Sequence, residues 1–492
     1  MKILFVVSEL TPIIKVGGLA DVAGALPIAL RALGHDVRVL LPKYGTIDYS
    51  QFPSKRRWSR LTVTRPAGQA TINIDEGRIP NSDVPLYYLD WPEMFGLLPN
   101  QSWAGVYYEQ SGSAGYRKEM ERFVSFSWAV PQLLEQIDWQ PEVVHCQDWH
   151  TAAVPVFLQL RGYRSATVLT IHNLGNQGRW RADEVFSWLG LRGTELPVLS
   201  SRDRHGDLNL LQLGIHATDV VNTVSPTYAK EILTTKYGEG LERDLTGRVL
   251  AVAGILDGLD TIRFNPATDS SLSPTYNQKT AILGKRKNKE HLQRVLRLPV
   301  DPTRPLCISI GRLSSQKGLE LVARAGPWLN SQRLQLVVLG TGLPEVEAQL
   351  SGFAHRYCAW ARLQLGFDAV LAQLLYAAGD FFLMPSRFEP CGLTQMIAMR
   401  YGCLPIARAT GGLVDTVIDV ADNPKRGTGF LFGPFTTAAM ISAIARARRV
   451  YDQPRVLAPL IARAMRYDFS WDKSAHAYLD LYAQAINHAT TI

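Results

Sequence analysis

The feature that most limits how this chain folds is an alternation of short apolar runs with helical segments, repeated in two series. The first run, ILFVV at 3–7, has no polar face, as expected of a strand covered on both sides. VAGALPIALRALG (22–34) then has helical spacing and ends in Gly34, a C-cap residue. HDVRVLLP (35–42) supplies the next strand. Strand–helix–strand is the unit of a parallel, doubly wound sheet. It recurs in EVVHCQDWH (142–150), a strand with a polar end leading into TAAVPVFLQL, and in ATVLTIHNLG (166–175). The second series comprises PLCISIGRL (305–313), QLVVLGTG (335–342), ARLQLGF (361–367), DFFLMPS (380–386) and CLPIARATGG (403–412). A chain of 492 residues is too long for one core. The expectation is α/β, with two doubly wound parallel-sheet domains joined near the turn-rich GILDGLD (254–260). The expected division is 1–252 together with 469–492, and 253–468.

Composition narrows the function classes. No run approaches the roughly 18 apolar residues of a membrane helix. MKILFVVSEL is too short an apolar stretch for a signal peptide and lacks a cleavage pattern, so a cytoplasmic location is expected. Cys146, Cys307, Cys358, Cys391 and Cys403 are scattered and include no CxxC pair, which supports neither a disulfide framework nor a structural zinc site. The formal net charge of +8 suits nucleic acid or small phosphorylated ligands. The basic clusters KRRWSR (55–60) and KRKNK (285–289) fit no nucleic-acid-binding pattern, and the first reads as solvated surface.

In open α/β sheets, ligands bind at the carboxyl ends of the strands, so the polar residues there are the candidates for chemistry. In KVGGLADV (15–22), Gly17 and Gly18 let backbone approach a ligand, a helix N-terminus follows, and Lys15 adds a point charge for phosphate. The segment also reads as a tight turn with an exposed lysine. IGRLSSQKG (310–318) sets Arg312 and Lys317 across a turn, as a diphosphate clamp or a surface ion pair. SRFEPCGLTQ (386–395) puts Glu389 before Cys391 and Gly392. That carboxylate suits a sugar hydroxyl or a developing positive charge, and equally a helix start. Cys391 reads as a small buried residue rather than a nucleophile. His172, at a strand end, and Asp148, between His145 and His150, complete the set. The histidines read as structural, without a metal-ligand set.

Taken together, KVGGLADV, HCQDWH, IHNLGNQG, TVSPTYAKEI, GILDGLD, KRKNK, GRLSSQKG, LGTG, SRFEPCGLTQ, TGGLVDTV and YDFSW resemble, in order and over nearly the whole chain, bacterial glycogen synthases and plant starch synthases. The resemblance implies the GT-B type, with two Rossmann-like domains, an active site in the interdomain cleft and a C-terminal helix packing back on the first domain. It implies a retaining transfer of glucose from ADP-glucose to the non-reducing end of an α-1,4-glucan such as glycogen or a maltooligosaccharide. No metal or other cofactor, nucleic acid or membrane is expected. The implied roles are Lys15 and Gly18 at the donor phosphates and glucose, Arg312 and Lys317 at the diphosphate, and His172 beside the transferred glucose. Glu389 falls at the glucosyl ring, Cys391 and Gly392 offer amides to its hydroxyls, Asp148 bonds the sugar, and Thr394 lies near the phosphates. Front-face attack with the leaving phosphate as base is implied, so no protein base is named.

Several positions depart from the family pattern. Asp257 stands where Asn is usual, Gln212 where Lys is usual, Asn176 where Tyr is usual, and Lys118–Glu119 where an Asp-Asn pair is usual. Asp257 would face the diphosphate or glucose and repel or re-pattern hydrogen bonds. These changes suggest an altered acceptor choice. The alternatives are a GT-B glucosyltransferase using UDP-glucose or another acceptor, or a weakly active glucan-binding or initiation scaffold. A phosphorylase is disfavoured because no pyridoxal-lysine motif is seen.

Overall fold

The structure, a computed structural model, describes residues 1–65, 68–97, 101–102, 106–108, 113–189 and 206–491. The chain divides into two compact units. One is Met1–Val224, Ala229–Gly258 and Trp471–Ile492; the other is Ser225–Tyr228 and Leu259–Ser470.

The strands of the first unit are Lys2–Val6 (β1), Asp36–Pro42 (β2), Lys55–Arg65 (β3), Gly68–Arg78 (β4), Pro85–Asp90 (β5), Gln101–Ser102 (β6), Tyr107–Tyr108 (β7), Val143–Gln147 (β8), Ala166–Ile171 (β9), Arg179–Arg181 (β10), Asp207–Asn209 (β11), Val220–Thr223 (β12) and Ala253–Gly254 (β13). Among the described residues, nine of them form one sheet in the order β13-β12-β9-β8-β1-β2-β5-β4-β3. Pairing is parallel from β13 to β5 and antiparallel across β5, β4 and β3. β1, β8 and β9 lie at its centre and are almost wholly buried, which is why their sequences carry no polar alternation. The helix Trp471–Thr491 packs on this unit. Its Tyr482 hydroxyl meets His145 Nδ1 at 2.9 Å, and Asn222 Nδ2 donates to the Tyr478 hydroxyl at 3.2 Å.

β3 is an edge strand, and an exposed edge invites pairing with another chain. Part of it is closed by side chains four residues apart. Trp128 Nε1 donates to Thr64 O at 2.8 Å, Gln132 Oε1 accepts the Thr64 N–H at 2.8 Å, and Gln136 exchanges two 2.9 Å bonds with the Thr62 peptide. The remaining half carries the KRRWSR cluster, where Lys55, Arg56, Arg57 and Arg60 are exposed.

The second unit holds Leu306–Ile310 (β14), Gln335–Gly340 (β15), Ala361–Leu365 (β16), Phe381–Met384 (β17), Leu404–Arg408 (β18) and Phe430–Phe432 (β19). Their order is β16-β15-β14-β17-β18-β19, all parallel. KRKNK lies in the helix Ala281–Val295 and is not a surface patch throughout: spacing by four turns Lys285 and Lys289 inward, 3% and 2% exposed. Lys289 Nζ reaches Asp380 Oδ2 at 2.5 Å and the Tyr451 hydroxyl at 2.9 Å. Lys285 Nζ donates to three carbonyls, Tyr376, Ala377 and Tyr401, at 3.0–3.3 Å, and burial pushes its ammonium down to about 8.

Both sheets have a point where the strand order reverses. In the first, the chain builds outward from β1 to β2 and returns on the other side at β8. In the second, it builds from β14 through β15 to β16 and returns at β17. Loops leaving the carboxyl ends of such strand pairs diverge and leave a crevice.

Candidate active site

In the first unit the crevice is built from the loops after β1, β8 and β9. β1 runs into Glu9, which is 3% exposed. Its Oε2 accepts the Val16 and Gly17 N–H groups at 2.6 and 2.8 Å, and its Oε1 accepts the Tyr107 hydroxyl at 3.1 Å. Burial raises the carboxyl against these three bonds. A carboxylate at the strand end thus holds the KVGG loop by its backbone. Gly17 is the extended N-cap of the helix Gly18–Ala32, with no side-chain cap bond, so the first helical amides are left for another partner. A Cβ built at Gly18 would have nothing within 4 Å, so packing in this unit does not demand glycine there. Lys15 Nζ rests on both oxygens of Asp21, at 2.7 and 2.6 Å.

Asp148 follows β8 directly, with a left-handed φ of +53° that costs about 1–3 kcal/mol in a non-glycine residue. The conformation places its carboxylate under the end of β9. Oδ1 accepts the His172 N–H at 2.7 Å and, more weakly, the Asn173 N–H at 3.4 Å. Burial pushes its carboxyl up to about 7, opposed by those two bonds and assisted by the charge of Glu9. His172 is the first residue after β9, half-buried, with Nε2 2.7 Å from Gln147 Oε1. Desolvation lowers its imidazole to about 3, so it is neutral. His145 is a core residue between Tyr482 and Thr170. His150 stacks on Trp149 and Tyr107. Among the described residues no group of three or more His, Cys, Asp or Glu side chains is arranged to hold a metal.

In the second unit the loops after β14 and β17 meet in a cleft whose lining includes Gly311, Arg312, Lys317, Met384, Ser386 and Thr394. Lys317 closes the single turn Ser315–Lys317, and Gly318 then reverses the chain at φ +66°. A Cβ on Gly318 would lie 2.0 Å from Pro385 O, so only glycine allows the two loops to approach. Lys317 Nζ meets Glu389 Oε2 at 2.7 Å, and Ser386 Oγ donates to the same oxygen at 3.0 Å. Glu389 is 5% exposed. Arg312 is exposed, and its guanidinium makes no hydrogen bond or ion pair among the described residues. Gly392 has φ +75°, Cys391 is buried, and the Thr394 hydroxyl, opening the next helix, contacts Met384 Sδ at 3.8 Å.

The structure therefore gathers Lys15, Gly18, Asp148 and His172 at the strand ends of one sheet, and Arg312, Lys317, Glu389, Cys391, Gly392 and Thr394 at those of the other. Asp257 is buried, one residue before the boundary of the first unit. Gln212 Nε2 reaches both oxygens of Asp244 at 3.1 Å, and His216 joins the same carboxylate at 2.6 Å. A neutral residue thus keeps a bond to Asp244 at that position. Lys118 is exposed, Glu119 is buried and Asn176 is exposed. Sequence reasoning missed Glu9, Asp21 and Gln147, although the rule of polar residues at strand ends would have found the first and last. It also missed Phe367, 85% exposed after β16, an aromatic ring left in solvent on a loop at the carboxyl edge of a parallel sheet.

Comparisons with known proteins place the chain in a family. The starch synthase catalytic domain family matches residues 2–247, and glycosyl transferases group 1 matches residues 304–449. Glycogen synthase 2 of Geobacter sulfurreducens is 39% identical over 99% of both chains. Glycogen synthase of Geobacillus stearothermophilus is 41% identical over 99% of this chain and 98% of its own. The catalytic domain of starch synthase IV from Arabidopsis thaliana, solved bound to ADP and acarbose, superposes with a TM-score of 0.89 at 33% identity over 99% of both chains. With two doubly wound units of the GT-B kind and full-length identity at this level, the chain is a glycosyltransferase and belongs to the glycogen and starch synthase family.

Proposed function

We propose that this enzyme transfers glucose from ADP-glucose to the non-reducing end of an α-1,4-glucan with retention of configuration. The observation that carries the reading is the second-unit cleft, where Lys317 and Glu389 form an ion pair beside Arg312, whose guanidinium has no partner among the described residues. That grouping suits a substrate with a diphosphate next to a polyhydroxylated ring. Arg312 and Lys317 take the diphosphate, Glu389 takes the glucosyl ring, the amides at Cys391 and Gly392 take its hydroxyls, and Thr394 lies toward the phosphates. Phe367 offers a face for the base.

Lys15, Gly18, Asp148 and His172 act on the same donor. The open space at Gly18 and the uncapped amides behind it favour an anion. The bond from glucose C1 to the β-phosphate oxygen breaks, and the acceptor 4-hydroxyl oxygen bonds to C1 on the same face. Its proton passes to the departing phosphate oxygen. Negative charge grows on the leaving ADP, where Lys15, Arg312 and Lys317 stabilise it. In this reading the protein supplies no general base and needs no cofactor. Asp257 acts on the bound donor from the end of its unit. Glycogen or a maltooligosaccharide is the macromolecular partner, and the enzyme acts in the cytoplasm; no described helix is long and apolar enough to cross a membrane.

The test is nucleotide release from ADP-glucose and from UDP-glucose, each with glycogen and with short maltooligosaccharides. ADP release coupled to chain extension is expected. Faster turnover of UDP-glucose, or ADP-glucose turnover without glucan extension, would refute the reading.

A further inference from the structure

We propose that Gln147 is a positioning residue for glucosyl transfer: its carboxamide oxygen holds His172 as the neutral imidazole protonated on Nε2, leaving Nδ1 as the ring's only acceptor. This rests on the reading of His172 as a contact of the transferred sugar.

Gln147 ends β8 and is 1% exposed. Its backbone is pinned, the N–H donating to Thr151 Oγ1 at 2.6 Å and the carbonyl accepting from that hydroxyl at 3.0 Å. Its side chain makes one bond, from Oε1 to His172 Nε2 at 2.7 Å, while its Nε2 is buried without a partner among the described residues. Buried polar groups are ordinarily satisfied. A leucine here would occupy similar space and leave no orphan. In this orientation the amide oxygen serves only His172 among the described residues. With the carboxamide oxygen turned to the ring, and an amide oxygen able only to accept, the ring nitrogen facing it carries the proton. Nδ1 has no hydrogen bond among the described residues.

The next residue completes the grip. Asp148 holds the His172 backbone N–H at 2.7 Å from its left-handed position. Consecutive residues of one strand end thus fix the backbone and the ring of the same histidine. The titratable groups acting around the ring are Asp148, His145 and His150, with Glu9 beyond Asp148. Burial keeps both neighbouring histidines neutral, and no carboxylate is hydrogen-bonded to the His172 ring. The neutral glutamine preserves that state, whereas a carboxylate in its place would favour the imidazolium.

The experiment combines long-range ¹H–¹⁵N spectra of ¹⁵N-histidine-labelled full-length protein with steady-state kinetics. In the unaltered protein His172 should show the Nε2-protonated tautomer and stay neutral to pH 5. Gln147→Leu should lose that signature and lower kcat by about tenfold to a hundredfold, with the donor KM within about twofold. Gln147→Glu should restore the Nε2–H signature, recover kcat at pH 8, and lose it as pH falls and His172 gains a charge the parent never carries. An Nδ1-protonated ring in the unaltered protein overturns the proposal whether or not Gln147→Leu folds. So does an unchanged tautomer in Gln147→Leu, or a lost tautomer with unchanged kcat. Failure of the underlying reading appears separately, as no ADP-glucose turnover by unaltered protein with its tautomer intact, and the proposal falls with it.

Discussion

Replacing Glu9 by alanine should disable the donor loop while leaving the sheet folded. Glu9 accepts two loop amides at 2.6 and 2.8 Å and a tyrosine hydroxyl at 3.1 Å. Hydrogen bonds to a charged group contribute about 1.5–3 kcal/mol each, so losing the two amide bonds removes about 3–6 kcal/mol. Two effects offset this: a carboxyl that burial makes costly to ionise is gone, and water can enter the space to meet the freed amides. The net cost is about 2–3 kcal/mol, which lowers the unfolding midpoint of the first unit by about 3–5 °C. Activity should fall further, because displacing Lys15 and the helix N-terminus by about 1 Å costs on the order of a hundredfold. Glu9→Gln separates the two effects. Both loop amides share Oε2, so a single amide oxygen keeps them, and this variant should recover most of the activity. The assay is kcat and KM for ADP-glucose alongside calorimetry, at a temperature where each variant is folded. If Glu9→Ala keeps both constants within twofold, or loses activity only in proportion to its unfolded fraction, the carboxylate merely fills the core.

Lys15→Ala should behave differently, since its pair with Asp21 is partly exposed and such pairs contribute only about 0–1 kcal/mol. Donor KM should rise by about tenfold or more with an unchanged unfolding midpoint, and unchanged kinetics would return Lys15 to the solvated surface. Lys317→Ala and Glu389→Ala should each lower kcat by about 10²–10³. Because the two groups share one ion pair, the double variant should fall well short of the product of the single losses; strict multiplicativity would show that they act apart. For Asp148, burial raises the folded carboxyl to about 7 from an ordinary 3.8. The folded state therefore keeps a proton that the unfolded chain loses, and this contribution to stability fades as pH rises from about 4 through 7. The unfolding midpoint of the unaltered protein should drop over that range more than that of Asp148→Asn, and parallel curves would contradict the shift.

Much of this molecule was legible along the chain. Apolar runs without polar alternation marked strands covered on both faces, and their punctuation by Gly, Ser or a charge marked the ends where ligands bind. Lys15, Asp148, His172, Arg312, Lys317 and Glu389 were singled out as candidates that way, because a strand end is a local feature and its neighbours in sequence are its neighbours in space. Partnership was less legible. Glu9 looks like any polar residue after β1 until the loop returns Val16 and Gly17 onto it. Gln147 gains a role only because parallel pairing of β8 with β9 lays it beside His172.

KRKNK marks the division between what sequence decides and what tertiary structure decides. The sequence alone determined that these five residues are basic and lie in a helical run, and the helical period determined that Lys285 and Lys289 share a face. Which way that face turned was decided by the fold. It brought the carbonyls of Tyr376, Ala377 and Tyr401 to one lysine and the carboxylate of Asp380 to the other. The same holds for the chemistry. Side-chain type sets which protons can move, but where they reside depends on burial and on partners supplied from distant parts of the chain. Asp148 at about 7, His172 at about 3 and Lys285 at about 8 are therefore properties of the folded structure, since each reflects a loss of water that no stretch of sequence imposes by itself.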